Sequence, residues 1–361
     1  MLQQLTIEKL PMIADLAAKV FKPDYIDFRP DFFRWQFQRA FELFGDGEDT
    51  GSWINVEEDG DVTALWVAQK APIWVDGRSI VGAWGHEWYS DPERKLGTME
   101  LLIRQMRTDG IYCGMGTGIE PMTVKSGLYT FQWLELRRLY GVIDPIRTAR
   151  AIENRLDCTE QYLKHVSFNP RRQKETAEAV VIGGFDADYD ETWRSVRRKL
   201  TFGTDRSAAY MNWRYVENPF LDYRWRKFVS EAGPAYFVWR YEEVADRIKV
   251  ARIVEVVGET DAVRLAMPSL CAIFAADGVD YYDYYGTHAK TIAGLLGGGM
   301  LQIVTLDVFD LPRLFSPMEI DYRKTIATII LVDKRLRGPW LYDMGDWMVT
   351  KGDGNQDRIN P

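Results

Sequence analysis

Six residues past the middle of the chain, YMNWRY at Tyr210–Tyr215, repeat the spacing of six near its start, FFRWQF at Phe32–Phe37. Both read aromatic, two residues, Trp, one residue, aromatic. The offset, 210 − 32 = 178 residues, is close to half of the 361-residue length. A duplication constrains a chain strongly, because the fold of one copy must also serve the other. Length permits it: 361 residues exceed one ordinary core and suit two.

The order of elements repeats too. In the first half QLTIEKL reads as a short alternating strand, and Pro11 introduces a helix, MIADLAAKVF. RPDFFRWQFQRAFELF is a second helix, with Phe33, Phe37 and Phe41 at helical spacing, broken by Gly45, Gly47 and Gly51. SWINVEE, VTALWVAQKAPIWV and SIVGAWGHEWY read as three strands, the last two joined by a hairpin signal, Asp76–Gly77. LGTMELLIRQMRTDG predicts a helix, IYCGM a strand, and the half ends in the apolar run LYTFQWLELRRL.

The second half begins with AVVIGGF as a strand and YDETWRSVRRKL and SAAYMNWRYVENP as helices, the latter stopped by Pro219. YRWRKFVSEA, AYFVWRYEEV and IKVARIVEVV are three strands; TDAVRLAMPSLCAIFAADG is a helix and VDYYDYY a strand. AKTIAGLLGGGM is a short helix, and LQIVTLDVF and RKTIATIILVD are closing strands. The polar stretch NPRRQKETAE marks the boundary, giving domains 1–172 and 173–361.

The formal charge of −8 argues against a broad nucleic-acid or anionic-membrane surface. Cys113, Cys158 and Cys271 lack pair spacing, which gives no zinc site and fits a reducing compartment. The first residues carry acids inside their apolar stretch, unlike a signal peptide, and no apolar run is long enough to span a bilayer. The expectation is a soluble cytoplasmic protein with no metal.

Strand, two helices, three strands, helix, strand, helix, strands departs from the βαβα rhythm of a Rossmann sheet. It resembles a tandem GCN5-related N-acetyltransferase (GNAT) fold. The resemblance implies mixed α/β architecture: two GNAT-like domains, each a mostly antiparallel twisted sheet flanked by helices. It also implies an acyl-coenzyme A co-substrate, acetyl-CoA or another acyl-CoA, and a small-molecule amine as acceptor. In that family a loop of the form (Arg/Gln)-x-x-Gly-x-(Gly/Ala) after the fourth strand cradles the pyrophosphate with backbone N–H groups at a helix start. Here Arg94-Lys95-Leu96-Gly97-Thr98-Met99 follows SIVGAWGHEWY, with Trp88 and Tyr89 at the strand end beside it. Met99 replaces the expected small residue. The matching segment of the second half, VEVVGETDAVRLAM, has no such loop, and Glu259 and Asp261 suit its helix start as structural caps. One half, the first, is therefore expected to bind acyl-CoA.

Amine transfer needs a base, and His86 and Glu87 are the rival candidates; alternation puts His86 with Trp88 on one face and Glu87 with Tyr89 on the other. The general-acid Tyr that many members of the family place four residues before a Gly-Phe is replaced by Thr123 before Gly127-Leu128, with Tyr129 nearby. The Trp213-Arg214-Tyr215 helix, Asn218-Pro219, Tyr223 and the ending DWMVTKGDGNQDR are similar to tandem GNAT proteins of bacterial surface-polysaccharide and amino-sugar functions. That implies a sugar platform in the second half: Trp213, Tyr215, Tyr284 and Tyr285 to stack, Arg214 and Asp283 to fix charge or hydroxyls, and His288 beside them. Packing of Trp213 and Tyr215 in the core is the competing expectation. GLLGGGM lacks the Lys-Ser/Thr of a P-loop and reads as a turn before a strand, and DGNQD lacks an EF-hand's Gly and Glu and reads as a solvated tail. Two other readings stand beside the acyl-CoA enzyme: a Fem-type aminoacyl-tRNA-dependent transferase, and a non-catalytic GNAT-like binding module.

Overall fold

The computed structural model describes residues 1–16, 29–91, 93–94, 97, 100–101, 104, 110–117, 132–151, 167, 176–244, 248–302, 326–354 and 357. Thr123 and the segment around Tyr129 lie outside these residues.

Alternating apolar runs build the strands of the first half: β1 Leu2–Gln4, β2 Trp53–Val56, β3 Val62–Val75, β4 Arg78–Ser90, β5 Ile111–Thr117, β6 Gln132–Glu135 and β7 Arg137–Val142. Those of the second are β8 Glu178–Val180, β9 Phe202–Thr204, β10 Tyr223–Ser230, β11 Gly233–Val244, β12 Ile248–Gly258, β13 Tyr281–Gly286, β14 Leu301–Gln302, β15 Ile326–Val332 and β16 Trp347–Met348. The helices used below are α1 (30–44), α2 Pro145–Ala151, α3 Ala187–Arg197, α4 (208–216), α5 Thr260–Ala276 and α6 Ala289–Gly297. The β3–β4 hairpin turns at Asp76 and Gly77, whose φ angles of 48° and 82° are those an Asp-Gly pair accepts in a tight two-residue turn. QLTIEKL is a strand only to Gln4; a 3₁₀ stretch, Ile7–Ile13, takes in Pro11, because Leu10 and Ile13 bury at its three-residue spacing.

Two mostly antiparallel sheets result, each flanked by helices. Among the described residues one sheet has nine strands, ordered β1-β2-β3-β4-β5-β15-β6 with β9 and β16 alongside β3, and the other seven, ordered β14-β7-β13-β12-β11-β10-β8. The halves exchange strands. β15, late in the chain, lies between β5 and β6, and β7, from the first half, lies between β13 and β14. A shared core joins both halves: Trp84 and Cys113 pack in one cluster with Trp193, Trp213, Tyr285 and Trp347. No described helix is long and apolar enough to cross a membrane.

The echoed motifs meet face to face. The middle of α1, Arg34–Arg39, and the end of α4, Asn212–Val216, are both wound as π-helix, a rare form that adds a residue to a turn. Trp35 stacks on Trp213 with ring centroids 5.6 Å apart. Arg214 donates to Gln36 at 3.0 Å. Each pair joins residues 178 apart, as expected of two copies related by an approximate two-fold axis running between them.

Candidate active site

Each sheet carries the same local defect. β4 and β5 run parallel and pair only over Gly82–Gly85 and Ile111–Gly114. Beyond that the ladder ends, and an extra residue, His86, bulges from β4 opposite Val67 and Ala68. In the other sheet β12 and β13 pair over Val250–Ile253 and Tyr281–Tyr284, and Val254 is the extra residue. Two parallel strands that stop pairing leave a wedge between them, lined by backbone groups that need partners.

The second wedge is filled by the chain's own end. Gly286 bridges Thr350, the Lys351 amide donates to the Tyr285 carbonyl at 3.2 Å, and a Cβ on Gly352 would stand 3.2 Å from the Val254 carbonyl. Asp353 is fully buried and pairs with Arg206 at 2.6 Å; Arg206 also holds Glu255 at 2.7 Å. Asp357 pairs with Arg240 at 2.9 Å and accepts from the Tyr223 hydroxyl at 2.6 Å. The DGNQD segment, expected as a solvated tail, is therefore interior wherever it is described. Its acids are buried because each meets a buried arginine, which a short polar motif gives no means of foreseeing. Burial and the neighbouring Asp353 push the Glu255 carboxyl up to about 7 despite Arg206, while Arg240 and Lys351 hold Asp357 well below the usual carboxylate range despite its burial.

From there the tail crosses to the first wedge, where Gly354 lies against Met115 and Trp84. Here the bulge alters the alternation expected along β4. His86 turns toward α1: its ring meets Phe37 edge-on at 5.0 Å and its Nε2 lies 3.2 Å from Gln69 Oε1. Trp88 stays on the opposite face, 40% exposed and stacked on Trp66. Thus His86 and Trp88 do not share a face; His86 joins Glu87 and Tyr89, whose partners Val67 and Leu65 pack with Phe37. Beside Phe37 lies a cavity of about 240 Å³, lined by the apolar Leu5, Ile7, Phe33, Phe37 and Phe41 and by the polar Thr6, Glu8, Gln38, Thr50 and Ser52.

Of the Arg94–Met99 loop, Lys95, Leu96, Thr98 and Met99 lie outside the described residues. Arg94 faces three carboxylates, Asp61 at 3.0 Å, Asp59 at 3.5 Å and Glu57 at 3.6 Å. Gly97 presses on the sheet: a Cβ there would come within 2.7 Å of Thr63 Oγ1 and 3.1 Å of Asn55. Its smallness serves helix-to-sheet contact. In the second half Glu259 makes no side-chain cap on α5 and instead pairs with Lys199 at 2.6 Å.

The residues expected to form a sugar platform are buried. Trp213 and Tyr215 are core, and Arg214 donates to the Gly352 and Gly354 carbonyls as well as to Gln36. Asp283 is paired with both Arg252 and Arg138, Tyr285 lies under the Arg138 guanidinium, and Tyr284 is enclosed. His288 starts α6 with its Nδ1 2.9 Å from the Thr291 hydroxyl. None of the six residues Trp213, Arg214, Tyr215, Asp283, Tyr285 and His288 presents more than a sliver of surface. Gln36 and Gln69 were missed from sequence, and only the position of Gln36 inside the echoed motif pointed to it; the ending DWMVTKGDGNQDR reads as a family-like tail, but its DGNQD reads as solvated.

No family model matches the chain, and no curated protein does. Solved structures do. Saccharomyces cerevisiae N-myristoyltransferase with bound myristoyl-CoA is similar with a TM-score of 0.52 at 9% identity, covering 92% of this chain and 82% of that one. A GCN5-related N-acetyltransferase from Anabaena variabilis is similar with a TM-score of 0.51 at 11% identity, covering 91% of this chain and 72% of that one. At such identities the likeness is one of fold.

Proposed function

We propose that this chain is an acyl-CoA-dependent N-acyltransferase whose donor site is the β4–β5 wedge of the first half, residues 1–172. The observation that carries this is how differently the chain's own C-terminal segment meets two matching wedges: it pairs along the one in residues 173–361 at Thr350, Lys351 and Gly352, whereas among its described residues only Gly354 reaches the other. The likeness of fold to enzymes that work on acyl-CoA supports the donor class. In the reaction an amine attacks the thioester carbonyl, the C–N bond forms and the C–S bond breaks. One amine proton passes to a base, which returns it to the departing thiolate. His86 is that base in this reading, placed at the parting of the strands; Glu87, half-buried beside it, is its rival. The Arg94–Met99 loop serves the pyrophosphate, for which Arg94 has to leave its three carboxylates. The acceptor is a small amine with an apolar portion, which suits the cavity beside Phe37 better than a bare amino sugar does.

Calorimetric titration with acetyl-CoA and myristoyl-CoA tests the donor, with amide exchange locating it. One site per chain is expected, with exchange slowed at residues 86–90 and 115–117. Two sites, or protection at 254–258, would overturn the assignment. Absence of binding by every acyl-CoA would sink the donor class and make aminoacyl-tRNA the next donor to test. Given turnover, His86→Gln is expected to lower kcat at least a hundredfold with donor affinity kept, and Glu87→Gln by far less; the reverse order would make Glu87 the base.

A further inference from the structure

A chain of contacts bridges the inner side of the first wedge from one lip to the other. His86 Nε2, on β4, lies 3.5 Å from the Gln36 amide nitrogen of α1. Gln36 accepts from Arg214 Nη1 of α4 at 3.0 Å, and Arg214 Nη2 donates to the Gly354 carbonyl at 2.9 Å. Gly354 in turn rests on β5: a Cβ there would stand 3.3 Å from the Met115 Cβ and 3.7 Å from the Trp84 ring. A guanidinium only donates, and its donors lie in one rigid plane. Arg214 therefore holds the turn at Gly354 in place, its Nε being taken by the Gly352 carbonyl at 3.1 Å. All five members of the bridge are buried.

Neither lip gives way cheaply. Beyond its pairing with β4, β5 is laddered to β15, with Met115 opposite Thr328 and Thr117 opposite Ile326. β4 is laddered to β3 as far as Ser90, opposite Ala64. The two faces of the sheet are distinct as well. Trp66, Tyr112 and Leu101, which follows the Arg94–Met99 loop, pack on one; Trp84, Cys113 and Met115 join the shared core on the other. A donor held by that loop would enter from the first face and bring its thioester out on the second, beside His86. Its acyl group then points at the bridge.

We propose that Met115 and the Gly354 turn limit the donor to a short acyl group, acetyl or close to it. The proposal rests on the first wedge being the donor site, and it names the acyl class for that site. A close-packed interior has no slack for a long chain, which needs a channel of its own. Each further methylene has to displace the Met115 side chain or a turn that Arg214 fixes.

Calorimetric titration with free CoA and with acetyl-, butyryl-, octanoyl- and myristoyl-CoA tests this. Each ester is referred to free CoA, so that losses common to the series cancel. Wild type is expected to bind octanoyl- and myristoyl-CoA at least tenfold more weakly than acetyl-CoA. Met115→Ala is expected to recover most of the octanoyl loss. Gly354→Ala, whose methyl would press on Met115, is expected to extend the loss to butyryl-CoA, and it serves if Met115→Ala does not fold. Octanoyl-CoA binding wild type as tightly as acetyl-CoA, or a series that neither variant shifts, would overturn the proposal while leaving the donor site in place. Absence of binding by free CoA and by every ester alike would sink the donor site, and the length limit with it.

Discussion

Two of the histidines that the sequence marks for chemistry meet different surroundings, and the difference is measurable. His86 is set among amides, whereas His288 is enclosed at the start of α6, and burial pulls its imidazole down to about 4, outweighing the pull of Asp346 in the other direction. Between the ordinary 6.5 and 4 the unfolded chain binds a proton that the folded one refuses. Stability is therefore lost as pH falls through that window, by about 3 kcal/mol in all. Glu255, raised to about 7, acts in the opposite sense, its contribution falling as pH rises from the ordinary 4.5 to 7. Comparing wild type with His288→Asn cancels that background: thermal midpoints between pH 7 and 4 should fall less steeply in the variant. Equal slopes would show that His288 titrates normally. At this scale the sequence supplied candidates without surroundings. Asp283 looked like a ligand at a strand end because its buried partner, Arg252, is brought to it by the fold, and His288 because the helix turn that puts Thr291 beside it is enclosed only in the folded chain.

Elements were legible where period and burial agree. The Asp76–Gly77 hairpin, the three consecutive strands of each half and the helix entered at Thr260 lie where alternation and spacing put them. The π-wound turns were not. Phe33, Phe37 and Phe41 keep a four-residue spacing, so nothing in the pattern reveals the residue added between them. Its effect is to present Trp35 and Trp213 to one another at the axis, with Trp213 Nε1 donating to the Trp35 carbonyl at 3.4 Å. If the stack couples the halves, Trp35→Leu and Trp213→Leu will not be additive. A double-mutant cycle by urea unfolding should return a coupling of about 1 kcal/mol. A coupling near zero would mean that each indole is held by its own half, Trp213 by Tyr210 and Trp35 by Phe32. The bulge at His86 was equally hidden, because β-strand alternation assumes one residue opposite each partner.

For the whole molecule, duplication was legible and exchange was not, since an alternating strand announces which face is buried and never which neighbour it pairs with. RKTIATIILVD reads as a closing strand of its own half and closes the other sheet instead. The consequence concerns separability. A fragment of residues 1–172 would lack β15, leaving β6 without a sheet neighbour and the backbone edge of β5 open. A fragment of residues 173–361 would lack β7, which spans from β13 to β14. Unpaired edges of this kind favour association, and the shared core would expose Trp84 in one fragment and Trp213 in the other. Each fragment expressed alone is therefore expected to aggregate or to give a collapsed amide spectrum. Co-expressed, the two should recover a dispersed spectrum and elute together at the size of the intact chain. The C-terminal segment sharpens the expectation, because its buried acids pair with Arg206 and Arg240 of its own half while Gly354 rests on Met115 and Trp84 of the other. A 173–361 fragment that folds alone would show that β7 and the contacts of Gly354 are dispensable. The two wedges would then be independent sites, and the filled one would owe its occupant to its own half alone.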